Sequence, residues 1–187
     1  MLEKFGKVIE TDILIVGAGA GGLWAALSAR RHLPSGRVTL LDARMVGRSG
    51  HTAFSNAWMV VVTPEDDLAA CVRDIIEGNE WIAEQELIRE ILTLSYQQLL
   101  EMEKMGLEFP KENGRFIRRP TRGLKVTKVL KPVGGGLEYC WQLRKAVEKG
   151  GIQIVERVFI TDLLRSEDGK VCGAVGIDGR TGEFIIL

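Results

Sequence analysis

A short apolar run that ends in closely spaced glycines constrains the fold of this chain more than any other feature. Residues 11–16 are rich in β-branched side chains, as buried parallel strands are, and four of the next six residues are glycine. Leucine, tryptophan and alanine then recur at helical spacing over residues 21–32, and a second apolar run covers 37–42. A strand, a glycine turn, a helix and a strand within about thirty residues predict a right-handed βαβ unit with a parallel sheet.

The glycines of the pattern Gly17-x-Gly19-x-x-Gly22 have separate mechanical roles if the turn holds a phosphate. Gly17 permits the tight turn, Gly19 lets a pyrophosphate approach the backbone, and Gly22 allows the helix to pack close to the strand. The free N–H groups and the dipole of the helix N-terminus would attract the anion. The glycines alone are also compatible with a plain turn that binds nothing.

Asp42 favours the phosphate-binding interpretation, because it ends the second strand, 25 residues after Gly17. A carboxylate in this place accepts hydrogen bonds from the adenosine ribose, and it disfavours the 2′-phosphate of NADP. The alternative is a solvated carboxylate at the end of a strand. These residues predict an adenine dinucleotide and leave NAD and FAD open.

The region after the βαβ unit combines a polar segment with helices. Residues 43–58 are rich in Gly, Ser, Thr and Asn, which predicts a long functional loop. Acidic residues after Thr63-Pro64 predict a helix start, and residues 80–105 predict a helix or a helix pair. Apolar side chains at helical spacing in this second segment predict a core stripe. The stripe consists of Leu87, Ile91, Leu92, Leu99 and Leu100.

Residues 111–131 carry the strongest local charge bias of the sequence, with eight basic residues and the single acid Glu112. Prolines and glycines in and beside this basic stretch argue against regular structure. A solvated loop would account for the charges, and so would a surface for an anion or a partner protein.

The last part of the chain changes from parallel to antiparallel character. An amphipathic helix is predicted at about residues 137–149 and a buried strand at 152–155. Extended runs at 157–165, 171–177 and 183–187 alternate with hairpin turns, whereas βαβ units continue in an ordinary NAD dehydrogenase. The predicted fold class is therefore α/β: a Rossmann-like FAD/NAD(P)-binding domain over residues 1–187, with a parallel βαβ core and a C-terminal antiparallel β-meander, incomplete at its C-terminus.

Four stretches follow one another in a specific order: residues 12–22, Arg48-Ser49-Gly50, residues 156–164 and residues 173–176. In this order they resemble the fumarate reductase, succinate dehydrogenase and aspartate oxidase flavoproteins, and most closely the flavoprotein subunit of adenylylsulfate reductase. The first motif is common to very many dinucleotide-binding proteins, whereas the order of all four is much more specific. The resemblance covers nearly the whole chain and implies FAD as the cofactor.

The resemblance also implies where the cofactor lies. Ser49 and Gly50 would follow the pyrophosphate and the flavin, and the backbone near Ile160 would meet the adenine edge. His51 would neighbour the flavin or be an ordinary solvated loop histidine. The predicted cofactor-binding residues are Gly17, Gly19, Ala20, Gly21, Gly22, Asp42, Ala43, Arg44, Ser49, Gly50, His51 and Ile160.

Members of this family that bind flavin covalently carry a histidine directly after the Arg-Ser pair, where this chain has Gly50. Non-covalent FAD is therefore expected. The family pattern continues with an alanine-threonine-glycine-glycine strand, a capping domain and the groups that act on the substrate, and no stretch of this chain matches them. No catalytic residue is assigned, and the chain is expected to be the N-terminal portion of a larger flavoprotein.

Composition limits the partners and the compartment. The 25 basic residues balance the 25 acidic ones, so no overall charge favours binding to nucleic acid. Three widely spaced cysteines predict neither a zinc site nor a disulfide framework, which favours a cytoplasmic protein. The uncharged run at residues 13–29 contains glycines and follows acidic residues, so neither membrane insertion nor a signal peptide is expected.

Together with the resemblance, these observations predict the FAD-binding portion of a flavin-dependent oxidoreductase. Its substrate would be a small anion, either a dicarboxylate or a sulfated nucleotide, and its partner an iron–sulfur subunit or a second flavoprotein half. The alternative is a stand-alone module that binds FAD or only its ADP half without catalysis. A plain NAD-dependent dehydrogenase domain is a weaker interpretation, because the tail is antiparallel.

Overall fold

The computed structural model describes residues 6–187, and the chain divides into two compact units. Among the described residues, the first unit contains residues 6–54 together with Cys140–Leu187, and the second contains Ser55–Tyr139. In chain order the elements are β1 (Lys7–Val8), β2 (Ile13–Val16), α1 (Ala20–His32), β3 (Val38–Asp42), α2 (Gly50–Ala53), β4 (Met59–Val60), α3 (Leu68–Gly78), α4 (Gln85–Lys104), β5 (Lys111–Glu112), β6 (Arg115–Phe116), β7 (Arg119–Pro120), β8 (Lys128–Leu130), α5 (Gly135–Lys149), β9 (Gln153–Glu156), β10 (Val158–Arg165), β11 (Val171–Asp178) and β12 (Phe184–Ile186).

A parallel sheet with the strand order β2-β3-β9 forms the centre of the first unit. Leu40 and Leu41 in its middle strand are fully buried, because β3 has a neighbour on each side and α1 packs on it. β2, α1 and β3 are the predicted βαβ unit, with boundaries within two residues of the expected ones. The predicted parallel core is therefore confirmed.

β10, β11 and β12 form the predicted antiparallel meander. The sequence carries no signal for β1, which pairs in parallel with β12 through Lys7 and Ile185, because a two-residue strand has no periodicity. One core cluster joins the meander to β3. It consists of Ile9, Leu41, Val158, Ile185 and Leu187.

The second unit contains α3, α4 and small antiparallel sheets. Asp67 caps α3, because its carboxylate accepts the N–H groups of Ala69 and Ala70 at 2.9 and 3.2 Å. α3 and α4 pack on each other, and β8 lies between β4 and β7. The core around these helices consists of Val62, Cys71, Val72, Ile76 and Leu92.

Three expectations need correction. Leu87 and Ile91 are 46% and 56% exposed, so they do not belong to the core stripe, whereas Leu92 and Leu99 are buried. Residues 43–58 are not a continuous loop, because they contain the single-turn helix α2. The basic stretch is not wholly irregular, because its residues form β5 to β8, each two or three residues long.

Among the described residues, β2 has β3 as its only neighbour in the sheet. Val16 at the end of β2 is 54% exposed. An edge strand presents unpaired backbone groups on one side, so this side of the sheet is open to pairing with a further strand.

No helix within residues 6–187 is both long enough and apolar enough to cross a lipid bilayer. In the same residues, no group of three or more His, Cys, Asp and Glu side chains is arranged to hold a metal ion.

Candidate nucleotide-binding site

The loop between β2 and α1 requires glycine at two positions for reasons of backbone geometry. Gly17 has a φ of +98°, and its N–H extends the β2–β3 ladder by donating to the carbonyl of Leu41 at 2.7 Å. A Cβ atom on Gly22 would lie 1.7 Å from the carbonyl oxygen of Gly17. The close packing expected at Gly22 is therefore present.

Gly19 is different, because a Cβ atom there would meet no protein atom. It is the N-cap of α1 with an extended backbone, and a Cβ built on it has no neighbour within 4 Å. The N–H of Leu23 donates to the Gly19 carbonyl at 3.0 Å, so the N–H groups of Ala20, Gly21 and Gly22 precede the first intrahelical bond. Open space beside free donors is what an anion needs to approach a helix N-terminus.

Asp42 connects three backbone segments beside this loop. One of its carboxylate oxygens accepts the N–H of Ala18 at 2.7 Å. The other accepts the N–H of Arg44 at 2.7 Å and the hydroxyl of Ser49 at 3.1 Å. An ionised carboxylate has about four acceptor positions, so these donors leave room for a ligand hydroxyl.

A tight turn at residues 45–48 leads from β3 to the predicted flavin-side residues. The N–H of Arg48 donates to the carbonyl of Met45 at 3.1 Å, and Gly47 has a φ of +76°, as the third residue of such a turn requires. Gly50 follows with a φ of +78°, and a Cβ on it would lie 3.3 Å from the Cα of Gly19. The segment after the turn therefore lies against the glycine loop.

Two residues outside the predicted cofactor-binding set hold this turn. Glu156 accepts the N–H of Val46 at 2.9 Å, and Arg144 donates to the carbonyl of Val46 at 2.7 Å. Arg144 also donates to Glu156 at 2.6 Å. The available sequence signal is the position of Arg144 in α5, four residues after the buried Cys140 and three before the buried Val147, where an apolar residue is expected.

The remaining predicted residues differ in exposure. Ala43, Arg44, Gly50 and His51 are exposed, whereas Ser49 is buried at the start of α2. Ile160 packs against the core cluster that contains Leu41, and a bulge interrupts the β10–β11 pairing directly after it. The structure thus brings residues 17–22, Asp42 and residues 49–50 together, whereas Ile160 lies against the core cluster that contains Leu41.

The chain is similar in sequence to the FAD binding domain family and to fumarate reductase subunits. The model of the FAD binding domain family matches residues 12–185. A subunit of the fumarate reductase (CoM/CoB) of Methanothermobacter marburgensis is 28% identical over an aligned length of 185, and the match covers 95% of this chain and 33% of that protein. The fumarate reductase flavoprotein subunit of Haemophilus influenzae is 25% identical, over 96% of this chain and 30% of that protein. The chain spans about a third of the length of these relatives.

Solved structures show the same fold. Quinol fumarate reductase of Escherichia coli matches 96% of this chain and 31% of its own with a TM-score of 0.86 at 22% identity. Adenylylsulfate reductase of Archaeoglobus fulgidus matches 96% of this chain and 29% of its own with a TM-score of 0.81 at 27% identity. The expected resemblance to these flavoproteins is confirmed. Because the family model spans both the glycine loop and the antiparallel meander, the chain belongs to the FAD binding domain family.

Proposed function

We propose that the first unit binds FAD with its ADP half on the glycine loop. The observation that carries this proposal is the convergence of the open α1 N-terminus at Gly19, the Asp42 carboxylate and residues 49–50 on one place. Each has the chemistry that one part of an adenine dinucleotide requires. The proposed contact residues are Gly17, Gly19, Ala20, Gly21, Gly22, Asp42, Ala43, Arg44, Ser49, Gly50, His51 and Ile160.

The parts of the cofactor divide among these residues. The first-turn N–H groups and the positive end of the α1 dipole would receive the pyrophosphate. Asp42 would accept a ribose hydroxyl at the acceptor position that its protein donors leave free. The backbone near Ile160 would meet the adenine, and the exposed His51 would lie on the flavin side. Bound FAD supplies two-electron redox chemistry, while the protein binds and orients it.

Titration of the purified chain with FAD tests the proposal. We expect saturable binding that ADP competes away, because both ligands place a pyrophosphate at Gly19. Adenosine should compete far less well, because it lacks the phosphates. Absence of FAD binding by a folded chain would refute the proposal.

We further propose that the FAD is held non-covalently, because Gly50 has no side chain with which to form a bond to the flavin. Acid precipitation of the loaded protein should then release all of the yellow colour into the supernatant. Flavin fluorescence that stays on the protein band of a denaturing gel would show instead that His51 or another side chain forms the bond.

We propose that the chain is the FAD-binding portion of an oxidoreductase that acts on a small anion, a dicarboxylate or a sulfated nucleotide. The names of its relatives support this class, since they include fumarate reductase and adenylylsulfate reductase. Two relatives are flavoprotein subunits, which favours a partner subunit such as an iron–sulfur protein. The three cysteines are all free, in keeping with a reducing cytoplasm.

A stand-alone FAD or ADP module is the second candidate. It is favoured by the position of all proposed ADP-half contacts within the first unit of this chain. Steady-state reduction of fumarate and of adenylylsulfate by the FAD-loaded chain, with a low-potential electron donor, tests whether this chain acts on a substrate by itself. We expect no substrate-specific turnover without the rest of a full-length enzyme, because no group of this chain is assigned to the substrate. Specific turnover by the monomeric chain would contradict this expectation.

A further inference from the structure

The 45–48 turn is held by a charged pair rather than by its own backbone alone. Val46 at its centre is fully buried, and its N–H and carbonyl groups bond to Glu156 and Arg144 respectively. These partners are 110 and 98 residues away in the sequence, on β9 and α5. Both backbone groups of one turn residue are therefore satisfied by a single ion pair.

The pair is itself well fixed. The side chains of Arg144 and Glu156 are 17% and 26% exposed, and Arg144 also donates through Nε to Glu148 at 2.8 Å. Burial alone would lower the pKa of Arg144, but its hydrogen bonds to Glu148 and Glu156 raise it above the ordinary value. Arg144 thus stays charged, and its planar fork directs one nitrogen to the turn and another to α5.

The exit of the turn is held from the same helix. The Arg48 guanidinium lies 5.1 Å from the ring centroid of Trp141, and the Arg144 guanidinium lies 5.5 Å from it. A Cβ on Gly47 would come within 3.3 Å of the Arg144 side chain, so the turn packs closely on this residue. Any shift of Arg144 would therefore move the turn.

We propose that Arg144 and Glu156 are positioning residues for the cofactor: they fix the 45–48 turn so that Ser49 and Gly50 lie against the glycine loop where the pyrophosphate binds. This inference rests on the proposed function. The turn leads directly into Ser49 and Gly50, and a Cβ added to Gly50 would lie 3.3 Å from the Cα of Gly19 in the glycine loop. Loosening the turn should weaken contact with the pyrophosphate more than contact with the adenosine.

Arg30 provides a matched control in the same unit. Its guanidinium also donates to backbone carbonyls, those of Gly36 at 2.7 Å and Gly151 at 3.3 Å. Arg30 lies in the last turn of α1, at the end opposite to the glycine loop. Its loss should therefore reduce stability without changing the shape of the nucleotide site.

The experiment compares the affinities of the wild type, Arg144→Leu, Glu156→Gln and Arg30→Leu for ADP and AMP, with urea unfolding of each variant. Arg144→Leu should weaken ADP binding about tenfold and AMP binding less than about twofold, because only ADP carries the pyrophosphate. Glu156→Gln keeps an acceptor oxygen. It should therefore also weaken ADP binding more than AMP binding, but by a smaller factor than Arg144→Leu does. Arg30→Leu should lower stability and leave both affinities unchanged.

Equal weakening of ADP and AMP by Arg144→Leu, or unchanged ADP affinity in the folded variant, would overturn the inference. If Arg144→Leu does not fold, the loss of ADP affinity relative to AMP affinity in Glu156→Gln tests the inference in its place. A folded wild type that binds neither FAD nor ADP would refute the proposed function, and this inference with it.

Discussion

Each unit contains an aspartate whose carboxylate accepts backbone N–H groups, but the two carboxylates differ in their surroundings. Asp42 in the first unit accepts N–H groups from Ala18 and Arg44, is partly exposed and borders the open N-terminus of α1. Asp74 in the second unit is 6% exposed and accepts N–H groups of three consecutive residues, Lys125 to Thr127, at 2.8 to 3.0 Å.

This difference separates a binding role from a structural one. Asp74 is buried and its three N–H donors come from one loop, so these hydrogen bonds serve the second unit itself. Asp42 connects its segments beside Gly19, where an added Cβ would meet no protein atom within 4 Å. Backbone donors on a carboxylate therefore do not by themselves indicate a ligand site, and what remains open around the carboxylate decides its role.

The largest effect is expected from Asp74→Ala. The change leaves three N–H groups without their acceptor and should lower the free energy of unfolding by about 4 kcal/mol. Asp67→Ala is the control, because Asp67 accepts two N–H groups at the exposed start of α3 and should cost only about 1 kcal/mol. Urea unfolding followed by circular dichroism measures both. Equal costs would refute the distinction between the two carboxylates.

The second prediction contrasts the two faces of α4. Leu99 is fully buried and Ile91 is 56% exposed. Leu99→Ala should therefore cost about 3 kcal/mol through lost packing and a cavity, and Ile91→Ala less than about 0.5 kcal/mol. The same unfolding measurement applies. A large cost for Ile91→Ala in the isolated chain would show that another surface covers this face of α4.

The third prediction concerns acid. Burial raises the pKa of Asp74, but the N–H groups of Lys125, Thr127 and Val126 outweigh it and lower the pKa from 3.8 to about 2. A carboxyl group whose pKa is lowered by folding stabilises the folded state at pH values above its pKa in the unfolded chain. This contribution is lost as the pH falls from about 4 to about 2. The loss should be about 2 kcal/mol. Asp74→Asn should lack it, so the stability difference between variant and wild type should shrink over this range; a constant difference would contradict the assignment.

The smallest effect is expected at Asp42. Asp42→Asn replaces one acceptor oxygen with an amide N–H₂ group, which would face a backbone N–H group and could not accept its hydrogen bond. The affinity for FAD should therefore fall about tenfold. Asp178→Asn is the control, because Asp178 likewise accepts the N–H groups of Arg180 and Thr181, in a hairpin turn of the same unit. The affinity of the Asp178→Asn variant for FAD should equal that of the wild type. Equal losses in both variants would assign Asp42 a general structural role.

The sequence predicted the first unit better than the second for a physical reason. The glycine loop, the parallel core and the meander each have a local signature, since backbone geometry demands Gly17 and Gly22 and strand periodicity marks β10 and β11. α4 carries apolar residues on two faces, and periodicity cannot tell which face meets α3. Leu87 and Ile91 were assigned to the core for this reason, although they are exposed.

The support of the turn could not be predicted in the same way. Arg144 and Glu156 reach Val46 only in the folded chain, and no local pattern links residues so far apart. Arg144 interrupts the apolar face of α5, which marks it as unusual without naming its partner. Contacts of this kind require the tertiary structure.

The most direct test of the central claim is FAD binding by Gly19→Val, measured by isothermal titration beside the wild type. A Cβ on Gly19 meets no protein atom within 4 Å, so the variant should fold with a loss of no more than about 1 kcal/mol at the N-cap. The valine side chain would instead occupy the space where the pyrophosphate approaches the helix, and FAD binding should be abolished. Equal affinity of the wild type and the folded variant for FAD would contradict the assignment of this loop as the cofactor site.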